Sequence, residues 1–182
     1  MDLNIHAIMH RSLANGPGVR YAIWLQGCSI RCPGCFNPDT HGHESRRVMA
    51  VEAIVADIAS FSGEIEGVTI SGGEPLDQID GLLELLRAIR RIGSLSVILF
   101  TGHRMEEVNT VPNAAELLRL VDILIAGPYD ETLRTAHGLI GSSNKTVHFF
   151  SERYSQADLD AVPEAEIVIS LDGTIVQSGI DW

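Results

Sequence analysis

The sequence predicts an α/β fold of parallel strands covered by helices. Three observations carry that prediction: apolar runs bounded by turn residues, helical apolar spacing between several of them, and a length that suits one core. At 182 residues and 45% hydrophobic content, the chain is long enough for one well-buried core and short for two. It is therefore read as a single domain spanning residues 1–182. Aromatic residues are few, whereas Val, Ile, Leu and Ala are plentiful, as parallel strands buried on both faces require.

The expected strands are Tyr21–Gln26, Gly67–Ser71, Ser94–Thr101, Val121–Ala126, Thr146–Phe150 and Glu166–Leu171. Val48, Val51, Ile54, Val55 and Ile58 recur at helical spacing before the second strand, and Leu82, Leu83, Leu86 and Ile89 before the third. A further helix includes Ala114, Leu117 and Leu118, and Ser155 with Asp158 forms a capping pair for a short one. Strand and helix alternate, which predicts right-handed crossovers in either an open sheet or a partial barrel. A complete eight-unit barrel needs about 250 residues, so five or six units fit here and one side stays open. The final stretch, IVISLDGTIVQSG, departs from this alternation: two apolar-alternating segments flank Asp172–Gly173, a hairpin signal.

Charge and cysteine content exclude several function classes. Twenty-four acidic against thirteen basic residues give a net charge of −11, and no basic stripe offsets it, so a nucleic-acid partner is not expected. The amino terminus lacks a secretory pattern, and no apolar stretch reaches the roughly 18 residues of a membrane span, so a cytoplasmic location away from membranes is expected. All three cysteines fall within eight residues, an odd number that suits ligation or catalysis better than a disulfide framework.

Cys28-Ser-Ile-Arg-Cys32-Pro-Gly-Cys35 directly follows the first expected strand, and Pro33 and Gly34 let the chain wrap around a compact object. Three thiolates so close can each hold one iron of a 4Fe-4S cube and leave the fourth iron open. The competing reading is zinc, with His41 or His43 as a fourth ligand, although structural zinc sites usually use paired C-x2-C knuckles. In Val68-Thr-Ile-Ser-Gly-Gly-Glu-Pro75, Gly72 and Gly73 at a strand end allow close approach of backbone to a ligand, and Pro75 biases Glu74 toward an extended conformation. Backbone carbonyls and the Glu74 carboxylate are then acceptors suited to an ammonium group.

The cysteine triplet followed by the Gly-Gly-Glu-Pro motif resembles the signature of the radical S-adenosylmethionine superfamily. Asn15-Gly-Pro-Gly-Val-Arg20, Trp24-Leu-Gln-Gly-Cys28, Cys32-Pro-Gly-Cys35-Phe-Asn37 and Gly141-Ser-Ser-Asn144 narrow the likeness to the glycyl-radical-enzyme activases, above all those of anaerobic ribonucleotide reductase. The matches run from about residue 5 to the closing hairpin.

That resemblance implies a partial (β/α)6-type, TIM-like barrel with helices outside, a 4Fe-4S cluster on Cys28, Cys32 and Cys35, and S-adenosylmethionine held by Gly72, Gly73, Glu74 and Pro75. Thr101 and Gly102 resemble the segment that contacts the cofactor's ribose or adenine, with an ordinary strand-ending turn as the alternative; Asn37, which orients the cluster loop or the cofactor or else makes a local turn before Pro38, and Asn144 are the further cofactor candidates. The implied reaction is reductive cleavage of S-adenosylmethionine to a 5′-deoxyadenosyl radical, which takes a hydrogen atom from a glycine of a partner glycyl radical enzyme. The electron then comes from a flavodoxin- or ferredoxin-type donor, and no acid–base residue is needed. A small-molecule or peptide substrate is the alternative within this chemistry; a non-catalytic zinc module is the alternative outside it.

Two positions depart from the activase pattern: Asn15 stands where an aspartate is usual, and Lys145 where the reductase activators carry glutamine. His103 and His137 are the histidines placed nearest the site, and a solvated or structural role is the favoured reading for each. Asp122, which begins its strand, is expected to face away from the cofactor and to position the Gly127–Tyr129 turn.

Overall fold

The structure is a computed structural model that describes residues 1–169 and 171–180. A seven-stranded sheet forms its centre. In chain order the strands are β1 (Asp2–Ser12), β2 (Arg20–Leu25), β3 (Arg47–Ala50), β4 (Gly67–Gly72), β5 (Ser96–Thr101), β6 (Ile123–Ala126), β7 (Arg134–His137), β8 (Ile140–Ser142), β9 (Thr146–Phe149), β10 (Ala165–Ile169) and β11 (Ile175–Gly179). The helices are α1 (Val51–Ser60), α2 (Ile79–Ile92), α3 (Met105–Val108), α4 (Ala114–Arg119) and α5 (Gln156–Asp160).

The sheet order is β3-β1-β2-β4-β5-β6-β9, and β7–β8 and β10–β11 are separate two-stranded hairpins. Strands β2, β4, β5 and β6 are parallel neighbours, with Leu25 opposite Gly72 and Thr101 opposite Ala126. All four therefore end at the same edge, where parallel sheets present their loops to ligands.

Burial on both faces explains their continuous apolar sequences. In β5, Val97 and Leu99 belong to a large core with Ile54, Ile58, Leu82, Leu86 and Ile89 of α1 and α2. Ile98, between them, joins Ile123, Ile125 and Leu159 in a smaller core on the other face. Gly81 lets α2 approach β1 closely, because a Cβ there would stand 2.9 Å from the Leu3 side chain.

The expectation of uniformly parallel strands is corrected at both edges of the sheet. The first strand is β1, antiparallel to β2, with β3 antiparallel to β1 beyond it; β9 runs antiparallel to β6. A crossover helix is needed only between parallel strands, and the connection from β6 to β9 contains only the 3-10 turn Glu131–Leu133 and the β7–β8 hairpin. The sheet is thus mixed and parallel-rich. Val48, expected in the first helix, lies on β3 and is largely exposed, and α1 begins at Val51. The Ser155–Asp158 capping box is present at α5, and the closing hairpin pairs Ile169 with Ile175. The expected strand Glu166–Leu171 runs through residue 170, which lies outside the described residues.

Arg20 fastens the sheet at the end opposite the shared carboxyl edge. It is fully buried, and its guanidinium donates to Thr69 Oγ1 at 3.1 Å, Ser96 Oγ at 2.6 Å and the Val68 carbonyl at 2.8 Å, joining three adjacent strands. Burial lowers its pKa to about 10. Asp122 lies at this same end, where it accepts from Arg90 at 2.8 Å and from the Val97 amide at 2.7 Å. It faces away from the carboxyl edge as expected, but it fixes the start of β5 and not the Gly127 turn, which is at the far end of β6.

Candidate functional site

At the carboxyl edge a cavity of about 170 Å³ is lined by Cys28, Cys32, Cys35, Asn37, Gly72, Gly73, Glu74, Thr101 and Gly102. Trp24, Phe36, His41, Tyr129, Gly141, Lys145, Gly179 and Ile180 complete much of the remainder. Segments far apart in sequence meet because β2, β4 and β5 end side by side.

The cysteine loop leaves β2 at Gly27 and is held mostly by peptide groups. The Gly27 amide donates to the Thr40 carbonyl at 2.8 Å, Cys28 to His41 at 3.4 Å and Cys35 to Cys32 at 3.3 Å. Gln26 reaches under the loop to the Gly42 carbonyl at 2.7 Å. The Ser29 hydroxyl and amide both donate to the Asp77 carboxylate at 2.7 Å.

The glycine-rich turn is laced to this loop. Gly73 donates to the Leu25 carbonyl and Glu74 to the Gly27 carbonyl, each at 2.8 Å. Gly72 has φ +104°, and a Cβ on Gly73 would overlap the Gly27 carbonyl oxygen. Both glycines are therefore required by close approach to the chain's own backbone, a closer constraint than the ligand approach expected from sequence.

Glu74 is 1% exposed and its carboxylate is engaged by three donors: the Leu76 amide at 2.9 Å, the Thr101 hydroxyl at 2.8 Å and the Gly102 amide at 2.8 Å. Burial pushes its pKa up, and the Leu76 and Gly102 amides and the Thr101 hydroxyl oppose that rise. Pro75 is buried at the start of the 3-10 turn Pro75–Gln78, outside the cavity wall.

Asn144, expected at the cofactor, is exposed and donates to the Pro128 carbonyl at 2.9 Å; the next residue, Lys145, enters the cavity instead. The Lys145 ammonium donates to the Gly127 carbonyl. Burial lowers its pKa, against the opposing influence of Cys32, Glu74 and Cys35. Neither His103 nor His137 lines the cavity; they pair with Glu107 at 3.8 Å and Asp160 at 3.3 Å.

Gly141 packs directly on the ring of Phe36, which Tyr129 meets at a centroid distance of 4.6 Å and Arg134 covers at 4.9 Å. The β7–β8 hairpin thereby roofs the cysteine loop.

The cavity fits a thiolate-bound cluster on two observations. All three cysteines line the cavity, and the buried Nε2 of His41, another lining residue, has no hydrogen-bond partner among the described residues. No three His, Cys, Asp or Glu side chains among the described residues converge on a point suited to a single ion. A cube needs no such convergence, because each thiolate binds a different iron. Burial pushes the Cys28 and Cys35 thiols up, while the Arg31 and Ile30 amides oppose this at Cys28 and the Asn37 amide at Cys35.

Comparison with known proteins reaches the same loop. The chain is 29% identical to the anaerobic ribonucleoside-triphosphate reductase-activating protein of Escherichia coli strain K12, covering 80% of this chain and 98% of that protein. It is 37% identical to the pyruvate formate-lyase-activating enzyme of Staphylococcus epidermidis over half of this chain, which corresponds to 38% of that enzyme. Among solved structures, that of QueE from Escherichia coli aligns with a TM-score of 0.47 at 22% identity, over 56% of this chain and 53% of that one. The description "4Fe-4S single cluster domain" matches residues 14–148, which contain all three cysteines, the glycine-rich turn and Lys145, and by that match the chain belongs to the 4Fe-4S single cluster domain family.

Proposed function

We propose that this chain is a radical S-adenosylmethionine enzyme that activates a glycyl radical enzyme of the anaerobic ribonucleotide reductase kind. The observation that carries the reading is the convergence of Cys28, Cys32 and Cys35 with Gly72–Gly73–Glu74 and Thr101–Gly102 on one cavity. Likeness to activating proteins along most of the chain supports the choice of partner.

When bound, the cluster and cofactor would supply the radical chemistry, one-electron reductive cleavage of the sulfonium followed by hydrogen-atom abstraction from a partner's glycine. The residues of the chain position and exclude. Cys28, Cys32 and Cys35 would each hold one iron of the cluster. The Gly72–Gly73 turn and Glu74 receive the cofactor's ammonium end, while Asn37, Thr101 and Gly102 border the rest of it. Trp24, Phe36 and Phe100 keep water from the reacting centre.

Residues 1–182 are read as one such domain, with its sheet as the wall of a partial (β/α)6-type barrel whose open side admits a peptide loop. A flavodoxin- or ferredoxin-type protein serves as reductant in the cytoplasm.

The test is anaerobic reconstitution with iron and sulfide, followed by dithionite and S-adenosylmethionine. Formation of 5′-deoxyadenosine, and a glycyl radical signal only when the partner enzyme is added, is the expected result. A colourless protein with one zinc and no iron overturns the reading. Deuterium transferred to 5′-deoxyadenosine from a labelled small molecule overturns the protein substrate.

A further inference from the structure

Lys145 is the only lysine of the chain; every other basic residue is an arginine. It is also the only lysine or arginine among the described residues that line the cavity. Its backbone amide donates to the Ser142 carbonyl at 3.2 Å, and its ammonium donates to the Gly127 carbonyl, so both ends of the residue are fixed. The same cavity holds Cys28, Cys32, Cys35 and the Glu74 carboxylate, in a protein of net charge −11.

We propose that Lys145 is a positioning residue that compensates the charge of the cysteine-bound cluster and makes its one-electron reduction accessible. The inference rests on the reading of this cavity as a cluster site. Three thiolates around an oxidised 4Fe-4S core leave one negative charge, and reduction adds a second. An ammonium held in a partly desolvated wall favours the more negative state, because attraction there is stronger than in bulk water. Lys145 and the three cysteines already line the same cavity.

Because the lysine is unique, it reports on itself. The reconstituted full-length protein, in cluster-free and cluster-loaded forms, is treated with an amine-acylating reagent and the peptide containing residue 145 is quantified by mass spectrometry. Loading is expected to protect Lys145 several-fold, and equal labelling of both forms overturns the proposal. In parallel, wild type, Lys145→Met and Lys145→Arg are titrated redox-potentiometrically with detection by electron paramagnetic resonance. Lys145→Met is expected to bind iron and sulfide as wild type does, but with a more negative midpoint potential; Lys145→Arg restores most of the shift. An unchanged midpoint in Lys145→Met overturns the proposal. Should Lys145→Met fail to load, the labelling of wild type decides alone. Wild type that takes up no iron overturns the proposed function itself, and with it this inference.

Discussion

The Thr101 hydroxyl donates to the Glu74 carboxylate at 2.8 Å, linking the end of β5 to the turn that follows β4. One buried carboxylate thereby sets the spacing of two strand ends that both border the cavity.

Replacing that carboxylate should loosen both. Glu74→Gln keeps one acceptor oxygen but turns an NH2 group toward a donor, the Leu76 or the Gly102 amide. The expected loss of stability is about 1–3 kcal/mol, measured by urea denaturation of the cluster-free protein. Weaker binding of S-adenosylmethionine to the loaded protein should accompany it, measured by calorimetry.

Gly73→Ala tests the backbone lacing. The added methyl would overlap the Gly27 carbonyl, so the turn or the cysteine loop must shift. A destabilisation of about 1–3 kcal/mol is expected from overpacking, together with poor iron incorporation. Normal stability with normal iron content would refute the tight contact.

Single Cys28→Ser, Cys32→Ser and Cys35→Ser substitutions should each abolish most cluster incorporation, read as iron and sulfide per chain, and leave the circular dichroism of the fold intact. Cys32 and Cys35 are only partly buried, so their loss costs the core little. A variant that retained a full cluster would remove its cysteine from the ligand set.

Acid stability should depend on Asp122. Burial pushes its carboxyl up, but the Val97 amide and the Arg90 guanidinium outweigh this and hold it below the ordinary range. A carboxyl depressed in the folded state contributes stability that is fully present above the unfolded pKa of about 3.9 and lost as pH falls through the lower folded value. Asp122→Asn should therefore cost about 1–2 kcal/mol at neutral pH and flatten the fall in stability below about pH 4. Denaturant midpoints across that range provide the check; equal slopes for both proteins would contradict the assignment.

The parts of the fold that could be read from sequence are those whose burial leaves a periodic trace. β5 and β6 are buried on both faces and read as continuous apolar runs; α2 buries Leu82, Leu83, Leu86 and Ile89 and keeps Arg87 and Arg91 exposed. β1 left no such trace. Its pairing with β2 shifts register between Ile5 and Ala7 and again between Met9 and Ser12, which breaks the two-residue alternation along DLNIHAIMHRS. The direction of β9 was hidden for another reason. An apolar run reads alike in either direction, and orientation is set by the connection that precedes it.

At the site, the cysteines and glycines were visible because their chemistry restricts which residues can replace them. Lys145 was visible only as a departure from the activase pattern; its place in the cavity is set by the turn between β8 and β9, which leaves no periodic trace. The Gly72–Gly73 pair was recognised but assigned too short a list of duties, since the nearest backbone is Leu25–Gly27 of the chain itself.

The lacing of the cysteine loop by peptide groups separates what can vary from what cannot. Cys28, Glu74 and Gly73 are positioned through main-chain amides and carbonyls that every amino acid possesses. Exposed side chains between the cysteines, such as Arg31, are thus less constrained than Ile30, which lines the cavity against Gly102. A substitution at an exposed position of the loop is therefore expected to leave the main-chain lacing in place.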